Sequence, residues 1–235
     1  MAEVNGIPND PARVAELDEK LKYIQETDPY EGFDYQAYPY VPEINWGGSH
    51  SHLAEMVCDI RPLLIIEVGS WTGESARNMA HELQGLGLTD SRVVCVDTWL
   101  GNVDCWTIHS GGHYPGLKMK NGHPTIYQQF LANTCYENMQ QYIVPFPQTS
   151  EIAALFFRHF GFKADLIYID GRHEFDFVYR DVTDYYKLLT EKGCLFGDDY
   201  FVGPVKAAVD QFAQEADLNV VVVENRYWHY ECRYA

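Results

Sequence analysis

Asp170, His173, Asp198 and Asp199 are the side chains of this chain whose types and spacing could do chemistry. Asp170 ends the apolar run LIYID (166–170), and Asp198 and Asp199 end GCLFGDD (193–199). If the two runs are neighbouring parallel strands, their C-terminal ends share the edge where open α/β sheets bind ligands. Carboxylates gathered there repel one another unless protonated or bridged by a cation. Oxygen donors favour a hard ion, Mg²⁺ first and Ca²⁺ or Mn²⁺ as alternatives, over zinc. Consecutive strand residues point to opposite faces, so Asp198 and Asp199 share an ion only if the strand has ended by Asp198. The alternative is that one of them caps a loop. His173 follows Asp170 by three residues. Its imidazole titrates near neutrality and can take a proton from a hydroxyl without unusual burial, or it can be a surface hydrogen-bonding group.

A second constellation is E-V-G-S-W-T-G-E-S (67–75), between an apolar run and a helical pattern. Gly69 and Gly73 let the backbone turn sharply and approach a ligand, and the following helix N-terminus offers free N–H groups to an anion. A dinucleotide fingerprint requires glycine at 71 and 74, where Trp71 and Glu74 stand, which disfavours NAD. Asp97 ends VVCVD (93–97), where an acidic group can accept both ribose hydroxyls of an adenosine.

The elements that must position these residues follow from periodicity. Asp10-Pro11 reads as a helix start, with Val14, Leu17, Leu21 and Ile24 on one face. A Tyr- and Pro-rich segment runs from Pro29 to Trp46, and a short helix covers His52–Ile60. Strands are expected at 63–68, 93–97, 142–146, 166–170, 193–199, 219–223 and 226–234. Helices are expected at Ser75–Leu83, 125–141, Ile152–His159, Phe175–Leu189 and 204–216, with an inserted loop at 99–124. This alternation predicts an α/β fold, a mostly parallel seven-stranded sheet with helices on both faces. The last two strands are joined by so short a turn that they must pair antiparallel. The expected organisation is an N-terminal helical and aromatic extension (1–60) followed by a ligand-binding domain (61–235).

The segment E-V-G-S-W-T-G-E-S-A-R-N-M-A (67–80) resembles the first motif of the catechol and caffeoyl-CoA O-methyltransferases. A parallel sheet finished by a reversed strand is likewise similar to the Rossmann-like class I methyltransferase fold. The resemblance covers about residues 60 to 235, excluding the insertion. It implies S-adenosylmethionine as cofactor, with Glu67, Gly69 and Ser75 around its methionine part and Asp97 on the ribose. Gln148-Thr-Ser-Glu151 resembles the family's adenine segment, with Ser150 as the matching serine. Ser70, Trp71, Gly73, Thr98, Trp99 and Asp170 complete the cofactor set that the resemblance implies. The metal-dependent members carry Asp at the first metal position and Asp-Asn at the second. This chain has Asp170, Asp198 and, in place of the Asn, Asp199, as the macrocin-type sugar O-methyltransferases do. Where the catechol group has a lysine base, this chain has His173.

Composition narrows the partners. The net charge of −17 and the lack of any basic cluster disfavour nucleic acid. The longest purely aliphatic runs are far short of the roughly 18 residues a membrane helix needs. The N-terminus lacks a signal-peptide pattern, so the expectation is a cytoplasmic protein. Cys58, Cys95, Cys105, Cys135, Cys194 and Cys232 show no C-x-x-C spacing, and neither a disulfide framework nor a zinc site is expected. Cys95 and Cys194 read as small core hydrophobes. His109, His113 and His123 fit no zinc pattern and read as lid or surface residues. The Tyr30–Tyr40 aromatics either line the acceptor pocket or form a homodimer contact.

The expected function is therefore metal-dependent O-methylation of a small hydroxylated metabolite (a sugar, polyol or catechol-like compound of secondary metabolism). A cation on Asp170, Asp198 and Asp199 would lower the acceptor hydroxyl's pKa, and His173 would remove the proton. Rival readings are a metal-independent O- or N-methyltransferase, a hydroxylase on the same fold, and a non-catalytic cofactor binder.

Overall fold

A computed structural model describes residues 10–42, 47–107 and 117–231. His109, His113 and Cys232 lie outside them.

The chain opens with α1 (Pro11–Leu21), capped by Asp10, whose carboxylate accepts the Ala12 N–H at 3.0 Å. After a short 3₁₀ turn come α2 (Ser51–Ile60), β1 (Leu64–Val68), α3 (Glu74–Gly85), β2 (Arg92–Asp97) and the short α4 (Val103–Thr107). Then follow α5 (Ile126–Tyr136), β3 (Ile143–Pro147), α6 (Ser150–His159), β4 (Ala164–Ile169) and α7 (Phe175–Tyr186). β5 (Leu189–Gly197), α8 (Gly203–Ala216), β6 (Val220–Val223) and β7 (Tyr227–Tyr230) complete it.

The seven strands form one sheet in the order β3-β2-β1-β4-β5-β7-β6. β1 to β5 pair in parallel, and β7 runs antiparallel to both β5 and β6. This is the Rossmann-like methyltransferase arrangement. Alternation splits the core between the two faces. Ile66, Val68, Val94, Val96, Ile167, Ile169 and Leu195 pack beneath α1, α6, α7 and α8. Ile65, Val93, Cys95, Leu166, Tyr168 and Phe196 pack beneath α2, α3 and α5. Both faces are covered, as a parallel sheet demands.

α1 belongs to this core through Leu17 and Leu21. It is also clamped by Arg13, whose Nη2 donates to both oxygens of the buried Asp165 at 2.9 and 3.1 Å. Asp165 at the same time accepts the N–H groups of Leu63 and Leu64 at the entry to β1.

Several boundaries differ from the sequence reading. α5 ends at Tyr136 rather than 141, because Asn138 takes a left-handed turn at φ 58°. α7 ends at Tyr186, and Leu189 opens β5 instead of closing the helix. β7 spans Tyr227–Tyr230 and has ended by Glu231; the rest of the expected 226–234 strand, 232–234, lies outside the described residues. Cys194 is disulfide-bonded, which corrects the expectation of a free core thiol; Cys58, Cys95, Cys105 and Cys135 are in no disulfide. Among the described residues no helix is long and apolar enough to cross a membrane.

Candidate active site

The C-terminal ends of β1, β2, β4 and β5 bring the expected residues to one edge. Glu67 sits in register between Cys95 of β2 and Tyr168 of β4, on the face toward α3. It is fully buried and accepts the Ser75 hydroxyl at 2.5 Å. Burial pushes its pKa up to about 7. Its Oε2 and the Ser70 hydroxyl are buried without a hydrogen-bond partner among the described residues. Orphaned buried polar atoms are costly, and a polar ligand at this point would satisfy them.

The loop beyond Glu67 is built for close approach. Gly69 has φ 89°, and a Cβ there would stand 2.1 Å from the Asp170 carbonyl oxygen. Gly73 caps α3 at φ 81° without any side-chain cap, so the first N–H groups of that helix lack one. Trp71 and Trp99, both bulky, also hold positive φ at 46° and 52°. Such backbone strain concentrates where a surrounding structure imposes it.

Asp97 is what imposes it here. Its Oδ2 accepts the N–H groups of Ser70 and Trp71 at 3.0 and 2.8 Å, and its Oδ1 accepts that of Trp99 at 2.7 Å. A carboxylate offers roughly four acceptor sites, so about one remains. Accepting both ribose hydroxyls, as the sequence suggests, would require one loop bond to give way. The Trp99 indole N–H closes the circuit by donating to the Trp71 carbonyl at 2.7 Å. Thr98 caps the next turn by accepting the Leu100 N–H. Gln148 N–H donates to the Asp97 carbonyl at 3.1 Å, which sets the loop before Ser150 beside the end of β2. Ser150 opens α6, its carbonyl accepting the Tyr185 hydroxyl at 2.9 Å.

The acidic group is divided. β4 ends at Ile169 and β5 at Gly197, which are register partners, so Asp170 and Asp198 emerge side by side. β5 has ended before the acidic pair, the condition on which Asp198 and Asp199 could share one ion. Asp199 takes a left-handed backbone at φ 59°, and its Oδ2 lies 2.8 Å from His173 Nε2. Asp198 turns instead to Arg226, whose Nε and Nη2 bind its two oxygens at 2.7 and 2.6 Å. Asp170 accepts the Tyr168 hydroxyl at 3.3 Å. Burial, and then repulsion from Asp198 and Asp199, drive the Asp170 pKa well up. The hydrogen bond to Asp199 raises that of His173.

Asp170, His173 and Asp199 each offer a ligand atom, all within 4.8 Å of one another. Two carboxylates beside an imidazole suit a divalent cation. Asp198 could join only by leaving Arg226. All four residues line one small cavity with Gly171, Arg172 and Trp228.

The sequence reading missed four contributors. Arg226 carries no chemical motif and reaches Asp198 only because β7 pairs with β5. Arg77 and Asn133 both donate to the Thr72 carbonyl in the glycine loop, at 2.7 and 3.1 Å. The same two residues hold the N-terminal segment, at the Pro42 carbonyl and the Val41 N–H. Tyr168 was findable, since strand alternation places it on the side of Asp170. The Tyr30–Tyr40 aromatics pack on α5 within the chain itself: Tyr35 and Tyr40 meet Tyr136 at 4.9 and 5.3 Å between ring centres.

Comparison with known proteins bears on this site. A search of curated proteins finds no match in sequence. In fold, the chain is similar to an O-methyltransferase from Bacillus cereus in complex with SAH. The TM-score is 0.59 at 13% identity, covering 97% of this chain and 93% of that one. It is also similar to the O-methyltransferase TomG from Streptomyces achromogenes, in complex with SAM (TM-score 0.58, 12% identity, 92% and 89% covered). The O-methyltransferase NovP matches at TM-score 0.52 and 15% identity, with 94% and 99% covered. The family described as Methyltransferase domain matches residues 66–200, from the middle of β1 through the acidic pair to Tyr200. That match takes in the glycine loop, Asp97, Asp170 and His173 over more than half of the sequence, and the chain belongs to this methyltransferase family.

Proposed function

We propose that this methyltransferase moves a methyl group from S-adenosylmethionine to a hydroxyl oxygen of a small acceptor. His173 is the general base, and Asp170 and Asp199 are the carboxylates that hold a divalent cation, Mg²⁺ first. The observation that carries the reading is the His173–Asp199 pair at 2.8 Å beside Asp170, on the sheet edge that carries the glycine loop. The family match and the SAH- and SAM-bound neighbours of the same fold support it.

Bound at the loop, the cofactor would supply an electrophilic sulfonium methyl. A cation on the carboxylates would polarise the acceptor hydroxyl. The chain's own residues do the rest. Glu67 and Ser70, with their unsatisfied polar atoms, would hold the amino-acid end of the cofactor, and the uncapped α3 N-terminus would suit its carboxylate. Asp97 holds the loop in shape and has about one acceptor site left for the ribose. His173, oriented by Asp199, is placed to take the acceptor's hydroxyl proton, which would leave the oxygen free to accept the methyl group that the cofactor supplies. Alignment of the reactants supplies most of the rate.

The test is calorimetric titration of S-adenosylmethionine, with Mg²⁺ present and after chelation, followed by S-adenosylhomocysteine release with vicinal diols and catechols. Micromolar binding and release dependent on His173 support the reading, and absence of binding overturns it. A second reading, metal-independent transfer, is favoured by Asp199 already serving His173. Turnover that survives exhaustive chelation would select it.

A further inference from the structure

Of the three carboxylates at the sheet edge, Asp198 already holds a cation that belongs to the chain. The device begins in the β6–β7 hairpin. Glu224 and Asn225 have φ 53° and 55°, and Arg226 N–H donates to the Val223 carbonyl at 3.0 Å. A two-residue turn with both central residues left-handed matches the twist of its strands and is stiff. It delivers Arg226 beside the end of β5, where Gly197 pairs with Trp228. The Arg226 carbonyl accepts the Tyr200 N–H at 2.8 Å, fastening the turn to the loop that carries the acidic pair.

The guanidinium is then confined by its surroundings. It lies 5.3 Å from the Tyr227 ring centre. Gly47 presses against it so closely that a Cβ there would fall 2.4 Å from Nη2. The Gly47 carbonyl is pinned in turn by the Tyr227 hydroxyl at 2.9 Å. Both oxygens of Asp198 are committed to the fork, and Oδ1 also accepts the Asp199 N–H at 2.6 Å. The Asp198 side chain is only 1% exposed. A paired fork of this kind is among the strongest hydrogen-bonded ion pairs, and a guanidinium does not shed its proton to make way for a metal. Charge points the same way: Arg226 balances Asp198, so Asp170 and Asp199 are the carboxylates left for a divalent ion.

We propose that Arg226 is the built-in counter-ion of Asp198 and keeps that carboxylate out of the coordination of any divalent cation. Asp198 is a positioning residue, tying the β6–β7 hairpin to the edge of the site. This departs from the ligand set that the sequence motif implies. It rests on the proposed function only for the pair left to a cation, Asp170 and Asp199.

The test measures Mn²⁺ affinity, with Mn²⁺ alone as the probe, on the full chain and its variants. Asp198→Asn should leave the affinity within about threefold of wild type, whereas losing a true carboxylate ligand costs at least ~tenfold. Arg226→Gln frees Asp198 and should tighten Mn²⁺ by about tenfold, a gain that Asp198→Asn removes in the double variant. A merely structural arginine would not raise metal affinity when removed. If Arg226→Gln does not fold, judged by thermal unfolding, Asp198→Asn and Arg226→Lys decide, both expected near wild type. Loss of Mn²⁺ binding in Asp198→Asn overturns the proposal, as does unchanged or weaker binding in a folded Arg226→Gln. A wild type without Mn²⁺ affinity beside an Arg226→Gln protein that gains it would sink the divalent-ion reading and leave this one standing. No binding in either sinks both.

Discussion

His173 Nε2 and Asp199 Oδ2 stand 2.8 Å apart because Asp199 takes a left-handed backbone just beyond β5. The residue before it, Asp198, meets Arg226 instead. Two consecutive acids thus serve two different bases. The division sets what a variant at either position should do.

The His173 pair predicts a pH profile. The hydrogen bond to Asp199 raises the His173 pKa above its ordinary 6.5. A base must be deprotonated, so turnover should fall as pH drops through that raised value. Asp199→Asn should move the acid limb to lower pH, and His173→Gln should cost about 100-fold or more in turnover. An acid limb unmoved by Asp199→Asn would show that the pair does not set the base.

Trp99→Phe should weaken cofactor binding. The ring stays largely packed against Tyr127 and Phe130, but the bond to the Trp71 carbonyl is lost. A neutral hydrogen bond is worth about 1 kcal/mol, so S-adenosylmethionine affinity should drop roughly fivefold. Calorimetry reads this directly, and equal affinities would mean that the loop needs no such tie.

Glu67 predicts proton-linked binding. Burial lifts its pKa from 4.5 to about 7, so part of the population is neutral in the free protein near neutrality. Facing a cofactor ammonium, it would ionise and release a proton. Affinity should therefore rise with pH up to about 7 and level off, and Glu67→Gln should flatten the curve. The same raised value makes the free fold bind more protons than the unfolded chain. That contribution to stability is full below 4.5 and is lost as pH rises through about 7.

Asp165→Ala should be costly far from any chemistry. The carboxylate receives Arg13, Leu63 N–H and Leu64 N–H, and its loss would leave buried donors unpaired and α1 unclamped. About 3 kcal/mol of stability should go, with cofactor affinity per folded molecule unchanged. Denaturant unfolding tests the first part. A loss of under ~0.5 kcal/mol would mean that α1 is held by Leu17 and Leu21 alone.

Much of this protein is determined locally. The runs at 63–68, 93–97 and 166–170 fall on β1, β2 and β4, because apolar runs between turn residues satisfy a buried parallel sheet with little help from elsewhere. The glycine loop, Asp97 and Asp170 are found from sequence for the same reason: each lies at a strand end, and the α/β rule places strand ends on one edge. The short link between β6 and β7 dictated their antiparallel pairing.

The partners of the charged groups belong to the tertiary structure. Asp198 and Arg226 are 28 positions apart, Arg13 and Asp165 152 apart, and no local pattern links either pair. Asp97 looks like a ribose ligand in isolation and becomes the organiser of the loop only when β1 and β2 are side by side. Periodicity reports which face a side chain seeks, since burial is a property of one residue. It cannot report which charge it will meet there, because that depends on two residues brought together by the sheet order.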